Sequence, residues 1–287
     1  PKGRASTRYC VFYSSKPGTR DMAHSNFGPV LEQIYKHEGG FVDHPRDPGG
    51  ATNLGITKRT LEAYLGRTVS IDEVRNLDRA VADEIYKKSY WAAVQGDQLP
   101  YGFDLVAMDG GVNSGPSRGA KWLQRGVGVR ADGKIGGQTI EAARAADSTG
   151  IELACGARMG FLRGLRHWDA FGRGWSRRVA SVEAVGVRMW LGAYSTTAST
   201  KDALRDAANR APTQAQDERR SGATQASTTG VGGAGGVTVA DMPLAAIVGV
   251  LSVLTIVAAL LYIRAERRAR YHEDRREAYA SQLEAVT

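Results

Sequence analysis

Apolar positions recur at helical spacing through most of the first 195 residues. Phe27, Val30, Leu31, Ile34 and Tyr35 mark a first helix. Pro29 suits its first turn, and Gly39-Gly40 stops it. Residues 38–56 then break the pattern. They hold five glycines and two prolines, with one Glu, two Asp, one His, one Thr and one Asn between them. Such backbone chemistry predicts a turn-rich insertion or a short β-hairpin between two helices. After it, Thr57 is a cap for a helix carrying Leu61, Tyr64 and Leu65, and Ser70 with Glu73 has capping-box spacing. Val74, Leu77, Val81 and Ile85 continue the helical stripe, and Tyr86, Tyr90 and Trp91 close the region with aromatics. Residues 117–146 read as helix, turn and helix start, with Asp132-Gly133 as the turn. Two further helices are expected over 151–168 and about 177–194.

Beyond residue 195 the periodicity fades. Residues 196–240 are dominated by Ser, Thr, Ala, Gly and Gln, which predicts a flexible tether. Residues 242–263 are uncharged and almost wholly apolar. At about 1.5 Å per residue this run is long enough for a hydrocarbon core of roughly 30 Å, so a transmembrane helix over 241–264 is expected, with the lipid bilayer as a partner. Arg264, Arg267, Arg268 and Arg270 follow it. That bias places a charged amphipathic tail, 265–287, in the cytoplasm and the N-terminal part outside a single-pass inner membrane. The rival orientation keeps the N-terminal part inside until a separate hole-forming partner opens the membrane. Residues 1–25 show no signal-peptide pattern and read as a disordered extension, with Met22 as the expected natural start.

Charge changes the picture little. The net charge is +8, and residues 1–25 supply half of it, with five Lys/Arg against one Asp. The helical region is only mildly basic. That suits a polyanionic envelope surface, and it lacks the basic stripe expected of a nucleic-acid binder. The two cysteines, Cys10 and Cys155, make no disulfide framework. His37 and His44 are seven apart with no cysteine nearby, which fits no zinc pattern, so no metal and no cofactor are expected.

The candidate chemistry centres on Glu38. It continues the apolar stripe of the first helix and sits at that helix's C-terminal end. Partial burial and the negative helix end both favour the neutral form of a carboxyl, as a general acid requires. The bland alternative is a Glu paired with Arg or Lys at the rim of a core. Asp43 and Asp47 follow at five and nine residues. Asp47, ahead of Pro48-Gly49, is either a second catalytic carboxylate or a turn-former. Tyr90 and Trp91 either pack the core or line a binding cleft. Asn113, ahead of Gly115, either binds substrate or caps a helix.

Glu38-Gly39-Gly40-Phe41 and the run from Asp47 to Thr57, Asp-Pro-Gly-Gly-Ala-Thr-Asn-Leu-Gly-Ile-Thr, resemble the signature of glycoside hydrolase family 108. These are lysozyme-like peptidoglycan hydrolases. The resemblance implies a mainly α, lysozyme-like domain over 26–116 with a small hairpin insertion, and Glu38 as the catalytic acid. The layout of Glu38, Asp47 and Thr52 is also similar to that of phage lysozymes, which implies a catalytic part for Asp47 and Thr52. Val112-Asn113 resembles a second block of the family, although Ser114 stands where the family often has His. Asp43, Asn53, Asn113, Tyr90 and Trp91 are the expected substrate contacts. Residues 117–195 resemble the peptidoglycan-binding module that commonly follows this domain, with Gly136-Gly137 in place of the usual Gly-Pro.

Together these readings predict a membrane-tethered N-acetylmuramidase acting on peptidoglycan, with a phage holin as the hole-forming partner in the rival orientation. Two rivals stand beside it: a glycosidase for another β-1,4 amino-sugar polymer, and a non-catalytic wall-binding or secretion-assisting protein.

Overall fold

The computed structural model describes residues 26–43, 50–232 and 244–286, and of these not the side chains of 229–232 and 244–250. Helix α1 (Phe27–Tyr35) buries Val30, Leu31 and Ile34, the expected stripe. A two-stranded hairpin follows, β1 (Thr52–Asn53) and β2 (Ile56–Thr57), with Thr52 opposite Thr57 and Asn53 opposite Ile56. Its two turn residues, Leu54 and Gly55, are both left-handed, at φ 50° and 74°. That is the tight connection whose twist matches the strands. Val42 bridges to Thr52 and makes the insertion a small three-stretch unit.

Three short helices come next: α2 (Lys58–Leu65), α3 (Ile71–Arg75) and α4 (Arg79–Tyr86). Thr57 caps α2 by accepting from the Thr60 backbone, and Ser70 and Glu73 form the reciprocal capping box on α3. A π-helical turn over Lys87–Trp91 leads on to α5 (Phe103–Ser114). This helix is buried from Phe103 to Gly111, including Asp104 and Asp109. Around it pack α6 (Pro116–Gly126), α8 (Thr149–Arg163) and α9 (Trp168–Tyr194), with α7 (Gly137–Ala145) between α6 and α8 in the chain. Gly119 of α6 is required by this crossing. A Cβ there would stand 2.5 Å from the Ala107 carbonyl oxygen. The described elements up to α9 share one apolar cluster.

The C-terminal region departs from expectation. The stretch read as a tether forms α10 (Thr197–Gly232), which buries Leu204, Ala207, Ala211 and Ala215. It pairs antiparallel with α11 (Leu244–Glu284), a helix of 41 residues. The predicted transmembrane helix is overturned: among the described residues no helix is long and apolar enough to cross a membrane. Residues 242 and 243 lie outside the described residues. The helix then continues without a break into a charged half that is buried against α9 and α10. There Arg275 meets Glu183 of α9 at 2.6 Å and Glu152 of α8 at 2.7 Å, while Tyr271 and Tyr279 donate to Glu183. Hydropathy registered the first half and missed what the second half is docked to. The bilayer partner through 242–263, the inner-membrane placement and the hole-forming partner tied to it fall with the segment.

Asp104 fastens α1 to α5. Its Oδ1 accepts from the Gly102 and Leu105 backbone N–H groups at 2.8 and 2.7 Å, and its Oδ2 accepts from Asn26 at 2.8 Å. Burial pushes its carboxyl up to about 7, against the opposing pull of those donors. A raised folded-state value means stability that is present at about pH 4 and lost as the pH rises through 7. We predict that Asp104→Asn, which can keep all three contacts if Asn26 turns its amide, becomes progressively more stable than the parent from pH 4 to pH 7.5. The expected gap is on the order of a few kcal/mol at the upper end. Denaturant melts across that range test it, and parallel curves for the two chains would refute it.

Candidate active site

Glu38 lies three residues past the end of α1, where its backbone N–H still bonds the Ile34 and Tyr35 carbonyls at 3.2 Å each. The side chain is 18 % exposed. Sequence reasoning expected an apolar surrounding and named a charged partner only as the bland alternative. The structure supplies that partner: Arg178 of α9 holds Nη1 2.8 Å from Glu38 Oε1. The same guanidinium donates twice to Asp109 of α5, from Nε at 2.9 Å and Nη2 at 2.7 Å. Arg158 of α8 closes on the other Asp109 oxygen at 2.5 Å. The result is a chain of alternating charge, Arg158, Asp109, Arg178 and Glu38, running from the core to the surface.

Burial pushes the Asp109 carboxyl up, but the two arginines outweigh it and hold it well below the usual carboxylate range. Burial likewise opposes the Arg178 charge, and Asp109 and Glu38 more than restore it. This guanidinium is therefore a fixed cation. His37 stands in the same field. Burial draws its imidazole below the ordinary range, Asp109 pulls the other way, and Arg178 and Arg158 add to the lowering.

The hairpin covers the second oxygen of Glu38. A Cβ at Gly55 would lie 2.9 Å from Glu38 Oε2 and 2.3 Å from the Tyr86 hydroxyl oxygen. Only glycine permits that approach, and its left-handed φ favours glycine as well. The Tyr86 hydroxyl donates to the Leu54 carbonyl at 3.0 Å and so ties the hairpin turn to α4. Tyr90 sits beside it, ring centres 5.6 Å apart. Burial raises both phenols, and the charge of Glu38 raises them further. Two tyrosines thus share the pocket of one carboxylate.

The other expected residues are placed unevenly. Thr52 is in β1, its hydroxyl 3.3 Å from the Gly50 carbonyl. Asn53 ties the hairpin to α3 by donating to the Arg75 carbonyl at 2.7 Å. Asp43 is exposed beside the Val42 bridge, and Asn113 is exposed on α5 one turn past Asp109. Tyr90 is half-buried next to Glu38. Trp91 is a core residue, 1 % exposed, with its indole N–H on Asp97 at 2.9 Å and its ring against Phe27. Asp47 and His44 lie outside the described residues.

Sequence reasoning missed Arg178, Asp109, Arg158, Tyr86 and Gly55 as a set. A signal for two of them was present. Asp109 interrupts an apolar run, and Arg178 falls on the apolar face of α9 with Val182 and Val185. A charge on a core-facing stripe demands a partner, but the spacing does not name it.

Comparisons with known proteins cover the region that holds Glu38. Residues 31–115, which include Glu38, the hairpin and Asp109, match the family model described as Glycosyl hydrolase 108. A solved structure, titled "Structure of Brucella abortus SagA", is similar at 44 % sequence identity and a TM-score of 0.53. The match covers 95 % of that chain and 57 % of this one, so a large part of this protein has no counterpart there. No curated protein matches. On the strength of a 44 % identical relative matched over nearly its whole length, the chain belongs to the glycosyl hydrolase 108 family and is a glycoside hydrolase.

Proposed function

We propose that the protein is an N-acetylmuramidase. It hydrolyses the β-1,4 bond between N-acetylmuramic acid and N-acetylglucosamine in peptidoglycan. The observation that carries this reading is the setting of Glu38: one oxygen is held by Arg178, and the other lies against the side-chain-free surface of Gly55. A carboxyl fixed by one oxygen has its other oxygen aimed, and proton transfer depends on that aim.

In the proposed reaction Glu38, in its protonated form, gives its proton to the glycosidic oxygen as the bond to the anomeric carbon breaks. Positive charge develops on the sugar, in an oxocarbenium-like state. Water attacks the anomeric carbon and leaves its proton with a base. Asp47 is the proposed base, with Thr52 as a second polar group to hold the water. Tyr90, Asn53, Asn113 and Asp43 are proposed substrate contacts. Arg178 and Asp109 do not touch substrate in this scheme. They set the position of Glu38, with Asp109 restraining the guanidinium that restrains the acid.

Glu38→Gln should lower turnover of purified peptidoglycan by about 10²–10⁴-fold while circular dichroism stays that of the parent. Retained lysis by a folded Glu38→Gln chain would remove Glu38 from the reaction. Reducing ends released by the parent should lie on muramic acid. Ends on glucosamine would favour a different glycosidase.

The second group is tested apart. Asp47→Asn should cost orders of magnitude in turnover with little change in stability, and Thr52→Ala considerably less. An Asp47→Asn rate within a few-fold of the parent would reduce Asp47 to a turn residue.

A further inference from the structure

Helix α9 has two working faces. One is covered by α11, through Asp169 with Arg267, Ser176 with Asp274 and Glu183 with Arg275. The opposite face carries Arg178. At about 100° per residue Phe171 and Trp175 fall about 20° and 60° from Arg178 ahead of it, and His167 stands at the N-cap of α9, one turn before Phe171. They recur at four-residue intervals and make a continuous strip. Ring centres of His167 and Phe171 are 6.5 Å apart, and those of Phe171 and Trp175 are 5.8 Å apart. Trp175 is braced from below by Trp168 at 6.2 Å. Phe171 is 55 % exposed.

An apolar ring held in water by a rigid helix is not explained by the packing of this protein. Core aromatics of α9 such as Trp168 are buried. Counting back from Arg178, the three rings lie about 5, 10 and 16 Å along the helix axis. The strip therefore begins about one turn ahead of Arg178, whose guanidinium holds Glu38, and leads away along the helix in steps comparable to the length of one sugar ring. We propose that His167, Phe171 and Trp175 form a glycan-binding track. It would seat sugar residues of the same β-1,4 amino-sugar strand whose scissile bond lies at Glu38.

The chemistry fits that occupant. A pyranose ring presents an apolar face of C–H groups, which stacks on an aromatic ring and expels water from both. An aromatic side chain has few torsions to freeze, so little entropy is lost on binding. A ladder of rings grips a polymer at several points without reading any one sugar closely, and affinity then grows with strand length. The inference rests on the proposed substrate class, but its test does not require turnover.

The test uses the full chain carrying Glu38→Gln and soluble glycan strands of two to eight sugars prepared from peptidoglycan. Affinity is read by the change in tryptophan emission and, independently, by isothermal titration. Affinity is expected to rise with strand length. Adding Phe171→Ala should flatten that rise and weaken the longest strand roughly three- to ten-fold. Phe171→Trp should restore it. Trp175→Phe should remove most of the emission change while keeping the length dependence. A length dependence untouched by Phe171→Ala, or an absence of strand binding by the Glu38→Gln chain, would overturn the track. Binding that depends on Phe171, together with a parent chain that hydrolyses no glycan, would uphold the track and sink the muramidase reading alone.

Discussion

Asp109 is wholly buried, and two guanidinium groups make that tolerable. A lone carboxylate at the centre of a helical core would be strongly destabilising. Paired with Arg158 and Arg178 it becomes the post around which three helices are fixed: α5 supplies the acid, α8 and α9 the bases. Breaking such a pair by removing one partner typically costs about 3–5 kcal/mol, because the other charge is stranded. The fourth charge, Glu38, is attached to this post by the one Arg178 nitrogen that Asp109 leaves over. The proposed acid is thus positioned from the core outward, by residues that are distant in sequence from residues 38–56.

The hairpin works from the other side. Its left-handed Leu54-Gly55 turn, tied down by the Tyr86 hydroxyl, presses a bare backbone against Glu38. Helix α9 joins this arrangement to the C-terminal hairpin of helices. Its far face buries Glu183, where burial pushes the carboxyl up even against the charge of Arg275, and two tyrosines of α11 complete the ring of partners. One long helix thus carries an ion pair for the site on one side and an anchor for α11 on the other.

Much of the local structure was legible in the sequence because local rules produced it. Val30, Leu31 and Ile34 marked α1, the glycines of 49–55 called for a hairpin, and Ser70 with Glu73 announced a cap. Glu38 was legible from its place on a stripe. Its partners were not, since Arg178 lies 140 residues away and only folding brings the two together. Trp91 and Tyr90 are neighbours in sequence with opposite fates: the π-helical turn sends Trp91 into the core and leaves Tyr90 beside Glu38. The largest error came from hydropathy. The apolar stretch ahead of Arg264 was read by itself, whereas its helix continues into a half whose charges are satisfied by α8, α9 and α10. A window of apolar residues reports length and composition, not what the rest of the helix is docked to.

Asp109 holds Glu38 through Arg178. A double-mutant cycle with Asp109→Asn and Arg178→Met, read by denaturant unfolding and by hydrolysis of peptidoglycan, tests it most directly. Each single change should be strongly destabilising and should depress turnover. The double change should cost less than the sum, because the Asp109–Arg178 pair is lost only once, while Arg158 is left unpaired just as in the Asp109→Asn single change. Additive effects on stability and rate would show that the two residues act independently, and would contradict the account.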